Sequence, residues 1–192
     1  WENDLKIKLE SRKQLLSDIQ FHHKLGTFHD KTKRMEFFAI NLSTHLNFNF
    51  NIKHLTEAVQ LTKLDLTTGL VREFPELQGI IGGYIAEVEK KDKIICLSLK
   101  EQYLPKGPLD LCPKNNLSIL LSLSDKLDTL LGFFLIDEMP TSSKDPYALR
   151  RSALGILRLI IENNLKIELE KFFNEEVINK YSLEESKKFE IK

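Results

Sequence analysis

Asp65, Asp125 and Asp128 are the carboxylates whose positions permit chemistry. Asp125 and Asp128 fall, with Gly132, within one arc of roughly 60° at 100° per residue on a leucine-rich stretch, and Asp65 sits at the edge of a stripe formed by Ala58, Thr62 and Leu66. Carboxylates converging from separate helices hold a divalent cation when imidazoles join them. His22, His23, His29, His45 and His54 lack the i, i+4 spacing of paired ligands on one helix, and read as loop or solvent-facing residues. Asp125 and Asp128 could share a cleft with Asp65; if no cation is held there, the three aspartates would be structural, paired with basic side chains, because a buried charge must be compensated. Neither a serine nucleophile elbow, a phosphate-loop glycine pattern nor a CxxC pair is present, and the Gly82-Gly83 doublet suits a close helix contact or kink.

Basic residues offer a second chemistry, contact with phosphate. Lys31, Lys33 and Arg34 cluster at the start of one helical stretch, and Lys144, Arg150, Arg151 and Arg158 bracket another. Arg151 and Arg158, seven apart, share a polar face and can reach one phosphate backbone together. Arg150 instead lies beside Leu149, Ala153 and Leu157, so it is expected to be buried against a carboxylate such as Asp128 or Asp145. Plain solvation of a helix face is the alternative for all these charges. The segment EFPELQG, beginning at Glu73, reads as a turn that positions two helices, with a contact to RNA or to a neighbouring domain as its alternative.

Helices must position these groups. Residues 5–24 are helical in composition and stop near Gly26; Asp30 can cap a second helix to His45, with Met35, Phe38, Ala39 and Leu42 as its buried stripe. A third helix is expected over 52–70, a fourth from Pro75 to near Glu89, and a fifth over 94–103, followed by a loop over 105–116. Leu120, Leu123, Leu127, Leu130, Leu131 and Phe134 mark one face of a helix over 117–134. Asp145 and Pro146 form an N-cap and first-turn pair for a helix ending at Glu162. No convincing segment alternates with period 2 and nothing repeats. The expected fold is all-α, with a helical domain over 1–165 and a charged, partly helical tail or linker over 166–192.

The 192 residues and 22.3 kDa suit one domain with an extension, and 42% hydrophobic residues supply a sizeable core. Twenty-eight basic residues balance 28 acidic ones, so any nucleic-acid surface must be local. Cys96 and Cys112 are too few for a disulfide framework and read as reduced structural thiols. No apolar run reaches the roughly 18 residues of a membrane span, and no signal peptide is recognisable. The chain opens on Trp1, which reads as a piece of something longer.

Four blocks stand in order along the chain: LGTFHDKTKR from Leu25, KLDLTTGLVREFPELQGIIGGYIA from Lys63, LSDKLDTLLGFF from Leu123 and SKDPYALRRSALGILRLIIE from Ser143. In these the chain resembles, over roughly residues 10–165, the middle of the bacterial glycyl-tRNA synthetase beta subunit. The resemblance implies an HD-like helical bundle, whose metal site takes a His, a His-Asp pair and a later Asp. Here Lys31 stands in the first slot, Leu64 precedes Asp65, and Gln102 replaces the histidine of a common Glu-His-Tyr. A lysine puts positive charge where the cation belongs and leucine cannot ligate, so a degenerate site with no metal is expected.

The resemblance further implies an enzyme of two alpha and two beta chains in the cytoplasm. Its alpha chain uses ATP, with magnesium, and glycine, while the beta chain engages tRNA(Gly). This piece is then expected to hold no cofactor and no catalytic residue, and not to aminoacylate alone. Lys31, Arg34, Lys144, Arg151 and Arg158 are its expected tRNA contacts. Departures include Tyr147 for phenylalanine, Ser142 for glycine, and Gly83-Tyr84-Ile85 for a more basic or aromatic run, which weakens RNA binding near Gly82. The rival readings are an active HD-type metal-dependent phosphohydrolase and a purely structural scaffold.

Overall fold

The computed structural model describes residues 1–49 and 51–173. Among them the chain forms helices α1 Glu2–Leu5, α2 Phe28–His45, α3 Ile52–Leu61, α4 Gly69–Glu73, α5 Ile81–Val88, α6 Lys93–Glu101, α7 Asn116–Leu135, α8 Leu149–Glu162 and α9 Leu169–Phe172. Tighter 3-10 turns span Leu9–Asp18, Leu64–Thr67 and Pro75–Leu77, and β1 Gln20–His22 pairs antiparallel with β2 Gly26–Thr27. The all-α expectation holds, with this hairpin as the one described sheet. No described helix is long and apolar enough to cross a membrane.

Helix α7 is the axis of the fold, packed by α2, α3, α6 and α8. Its leucines were expected to line one face, yet every residue from Leu117 to Asp128 is buried. Serines make this tolerable, because a small hydroxyl can return its proton to a nearby carbonyl. Ser124 Oγ donates to Leu120 O at 2.6 Å, and Ser118 Oγ to Ser98 Oγ of α6 at 3.1 Å. Phe134, placed on the buried face by the wheel, is 43% exposed, and Phe133 is the residue buried there, in a second cluster with Leu25 and Leu149.

The N-terminal 5–24 helix does not form. The 3-10 turn buries Leu9, Arg12 and Leu16, and the hairpin follows, turning over residues 23–25 into Gly26, whose φ is +80°. Two or three residues per strand are too few for a period to show. Helix α2 is capped by Thr27 rather than Asp30: the Thr27 hydroxyl accepts from Asp30 N at 3.3 Å, and the Asp30 carboxylate accepts from Thr27 N at 2.9 Å. Such a box satisfies two free amides at once.

The expected 52–70 helix breaks at Thr62, whose hydroxyl donates to Val59 O, and Lys63 turns the chain with φ 63°. The 75–89 helix likewise divides at Gly79, φ +85°. Helix α8 begins at Leu149, not at Asp145, because Ala148 adopts φ 54° and the Asp145 carboxylate caps from outside, accepting from Leu149 N at 2.8 Å and Arg150 N at 3.0 Å. The expected tail is described only as far as 173, and its residues from 174 onward lie outside the described residues. Phe172 of α9 is fully buried and joins the main core near Phe38, at 6.5 Å between ring centroids.

Candidate functional site

Helix α2 and the turn after α3 bring cations against the α7 aspartates. Lys31 Nζ lies 2.9 Å from Asp128 Oδ2 and 3.3 Å from Asp125 Oδ1, and Lys63 Nζ lies 2.8 Å from Asp125 Oδ1. Arg34 clasps Asp128 through Nε at 2.6 Å and Nη2 at 3.4 Å, while its Nη1 donates to Leu25 O at 2.9 Å. The Lys63–Asp125 pair is close but not aligned as a hydrogen bond, so its attraction is chiefly Coulombic. Asp65 stands apart: its Oδ2 accepts from Gly79 N, and Oδ1 is buried without a hydrogen bond.

The environments set the charges. Burial alone would raise the Asp125 and Asp128 carboxyls, but Lys31 with Lys63 for the first, and Lys31 with Arg34 for the second, pull both below the usual range. Burial raises Asp65 despite the Gly79 amide. Burial also pushes Lys63 down to about 8, against the opposing pull of Asp125. The donor set does not fit a divalent cation, since ammonium groups already neutralise the carboxylates and Leu64 offers no ligand. Among the described residues no three His, Cys, Asp or Glu side chains form a metal-binding group.

Above this cluster opens a cleft of about 300 Å³. Pro75, Glu76 and Gln78 of the EFPELQG segment form one wall, Tyr103 and Pro105 another, and Asp125, Lys126 and Arg151 also line it. Lys63 Nζ lies 3.7 Å from the Tyr103 ring centroid, a cation–π contact, and Gln78 Nε2 donates to the Tyr103 hydroxyl at 2.8 Å. Lys126 Nζ is spent on Tyr103 O at 3.1 Å, Leu104 O at 3.4 Å and Ser122 Oγ at 2.8 Å, and burial pushes its amine down to about 8 against Asp125.

Two glycines make this packing possible. A Cβ on Gly155 would stand 2.6 Å from Lys126 Cε, and one on Gly79 would stand 2.3 Å from Tyr103 Cδ2. Gly79→Ala combines that clash with a left-handed backbone, and is expected to lower stability by roughly 2 kcal/mol or more. Urea unfolding measures it, and an unchanged midpoint would show that Tyr103 can move aside freely.

The basic residues sort differently from the sequence expectation. Lys31 and Arg34 are each 2% exposed and committed to Asp125 and Asp128, so neither can meet a phosphate. Arg150 was expected to be buried on a carboxylate, yet it is exposed and donates to Thr141 O instead. The shift of the helix start to Leu149 places it in the first turn, facing the preceding connection. Arg158 is partly covered, donating to Glu162 Oε1, Gly107 O and Asp110 O, each at 2.8 Å, and so ties the 105–116 loop to α8. Lys144 and Arg151 are exposed, and Arg151 has no side-chain partner among the described residues.

Lys63, Tyr103, Lys106 and Lys126 were not anticipated as site residues. A usable signal existed for Lys31 and Arg34, which fall on the α2 stripe that buries Met35, Phe38 and Leu42. Lys126 carried a similar signal, between Leu123 and Leu127 on the axial helix.

A sequence profile described as "Glycyl-tRNA synthetase beta subunit" matches residues 1–191. Among curated relatives, a protein of Rhodospirillum centenum is 43% identical over 174 residues, covering 90% of this chain and 24% of its own length. One of Phenylobacterium zucineum is 41% identical over 180 residues (93% and 27%), and one of Acinetobacter baumannii 48% over 171 residues (89% and 24%). All three are named glycine–tRNA ligase beta subunit. The chain thus spans about a quarter of the length of the curated relatives it matches.

Proposed function

Since the chain belongs to the glycyl-tRNA synthetase beta-subunit family, we propose that it is an HD-like, non-catalytic piece of a glycine–tRNA ligase beta chain that contacts tRNA(Gly). In this reading it works in the cytoplasm with an alpha chain that uses ATP and magnesium, in an assembly of two alpha and two beta chains, and it does not aminoacylate by itself. The observation that supports RNA contact is Arg151, whose guanidinium stands at the cleft mouth with no protein partner among the described residues. Exposed Lys106 lies on the same cleft, and exposed Lys144 precedes α8 by five residues. The buried lysines of the cluster weigh against a phosphohydrolase, which needs its carboxylates free for metal.

Filter binding of tRNA(Gly) to the chain between roughly 50 and 200 mM salt tests the reading. Arg151→Ala and Lys144→Ala are each expected to weaken binding and to flatten the salt slope by about one unit, the signature of one lost phosphate contact. An unchanged slope in the double variant would leave a scaffold as the better reading. One observation already favours that second role. Leu154, Leu157 and Ile161 on α8, with Leu109 and Leu111 on the loop that Arg158 anchors, are 47–95% exposed, as a face that packs on another surface would be.

A further inference from the structure

Asp125 is the atom-level anomaly of the cleft. It is 8% exposed; its Oδ1 is held by the ion pairs to Lys31 and Lys63, and no hydrogen bond reaches its Oδ2 among the described residues. Oδ1 is turned inward to Lys31 and Lys63, which leaves Oδ2 as the oxygen facing the cleft. An ionised carboxylate is an acceptor only, so the floor of the cleft asks for an N–H or O–H donor.

The mouth asks for the opposite. Arg151 presents a guanidinium with no partner among the described residues, its backbone amide in the first turn of α8 has no acceptor among them, and exposed Lys106, whose Nζ lies 5.7 Å from the Tyr103 ring centroid, lines the same cleft. The Asp145 carboxylate takes the Leu149 and Arg150 amides but not that of Arg151, so the positive end of α8 remains directed outward there. Between the two ends, Pro75, Pro105 and the Tyr103 ring are flat or apolar walls.

We propose that this cleft takes an unpaired nucleotide of RNA whose base carries an exocyclic amine, the amine donating to Asp125 Oδ2 and the phosphate meeting Arg151 and Lys106. The proposal rests on the reading that the chain contacts RNA, and assigns one nucleotide to one site within it. A simple anion does not suit the cavity, because it would face Asp125 without offering a donor. A small zwitterion such as an amino acid would match both charges but leave most of about 300 Å³ unfilled. A base, ribose and phosphate supply donor, flat surface and anion in that order, and stacking on an aromatic ring is a common contribution to single-strand binding.

The test compares ligands, so that it does not depend on whether an Asp125 variant folds. The chain is titrated by calorimetry with an adenylate trinucleotide, with the same trinucleotide built from purine riboside, which lacks only the amine, with AMP and with inorganic phosphate. The adenylate trinucleotide is expected to bind roughly tenfold tighter than its purine riboside counterpart, the size of one hydrogen bond to a charged acceptor, and at least as tightly as AMP. Arg151→Ala is expected to weaken both trinucleotides while leaving their ratio intact.

Equal affinity for the two trinucleotides would overturn the proposal, as would phosphate competing as well as AMP, or AMP binding while the trinucleotide is excluded. Failure on the ratio, while Arg151→Ala and Lys144→Ala still flatten the salt slope of tRNA binding, would remove the nucleotide site and leave the RNA-binding reading standing. A salt slope that the double variant leaves unchanged would remove both.

Discussion

Replacing Asp128 with alanine is expected to lower the stability of the chain by about 3 to 5 kcal/mol, the usual cost of removing one partner from a buried ion pair. Asp128 is fully buried at the axis of α7, and its two oxygens neutralise Arg34 and Lys31, each 2% exposed. Without it, two cations remain in the interior with Asp125 as the nearest carboxylate, and that group is already shared with Lys63. Arg150→Ala, at an exposed site, is expected to change stability by no more than about 0.5 kcal/mol. Chemical unfolding of the two variants separates them, and equal midpoints would refute the assignment of Asp128 as the hub. A triple replacement, Lys31→Met with Arg34→Leu and Asp128→Leu, is expected to recover much of the loss, because exchanging a whole buried ionic set for apolar volume is often close to neutral. That recovery would identify the uncompensated charge, rather than the missing volume, as the source of the cost.

The sequence exposed the helices and their buried stripes more readily than the ends that aim side chains. Met35, Phe38 and Leu42 of α2 are buried as their spacing requires, and α7 lies within a residue or so of the expected span. Arg150 shows why boundaries matter: a wheel started at Asp145 turns it inward, whereas a start at Leu149, forced by the left-handed Ala148, leaves it in solvent. Asp65 was read on a continuous helix that the structure breaks at Lys63, yet it is buried because the 3-10 turn packs beside α5, where Gly82 leaves room for it. Lys31 and Arg34 failed for a different reason. Charged residues are mostly outside, and only the partner on α7, distant in sequence, overrides that default. Pairings of this range cannot be read from periodicity, which reports which side of a helix is buried but not what it meets.

Between about pH 8 and pH 10 the chain is expected to gain stability, opposite to the behaviour of a lysine that acquires a favourable partner. Lys63 and Lys126 are pushed down to about 8 in the fold, chiefly by burial, whereas an unfolded lysine titrates near 10.4. Inside that window the unfolded chain binds a proton that the folded chain has released. Stability therefore rises with pH. The penalty of burying each ammonium is fully present below about pH 8 and is relieved as the pH climbs, by roughly 2 kcal/mol per lysine across the window. Cys96, Cys112 and Tyr103 oppose the gain: burial raises both thiols and the Tyr103 hydroxyl, so as the pH climbs the unfolded state gives up those protons first and stability falls again. Urea unfolding at a series of pH values from about 7 to 11 should therefore show stability rising above about pH 8 and falling again in stronger alkali. Lys126→Met is expected to remove about half of the rise; its lost hydrogen bonds to Tyr103 O and Leu104 O shift the whole curve but do not titrate. A profile that is flat or descending from pH 8 to 10 would mean that Lys63 and Lys126 keep their protons in the fold, and that Asp125 compensates them more completely than its distance from Lys63 and the burial of Lys126 imply.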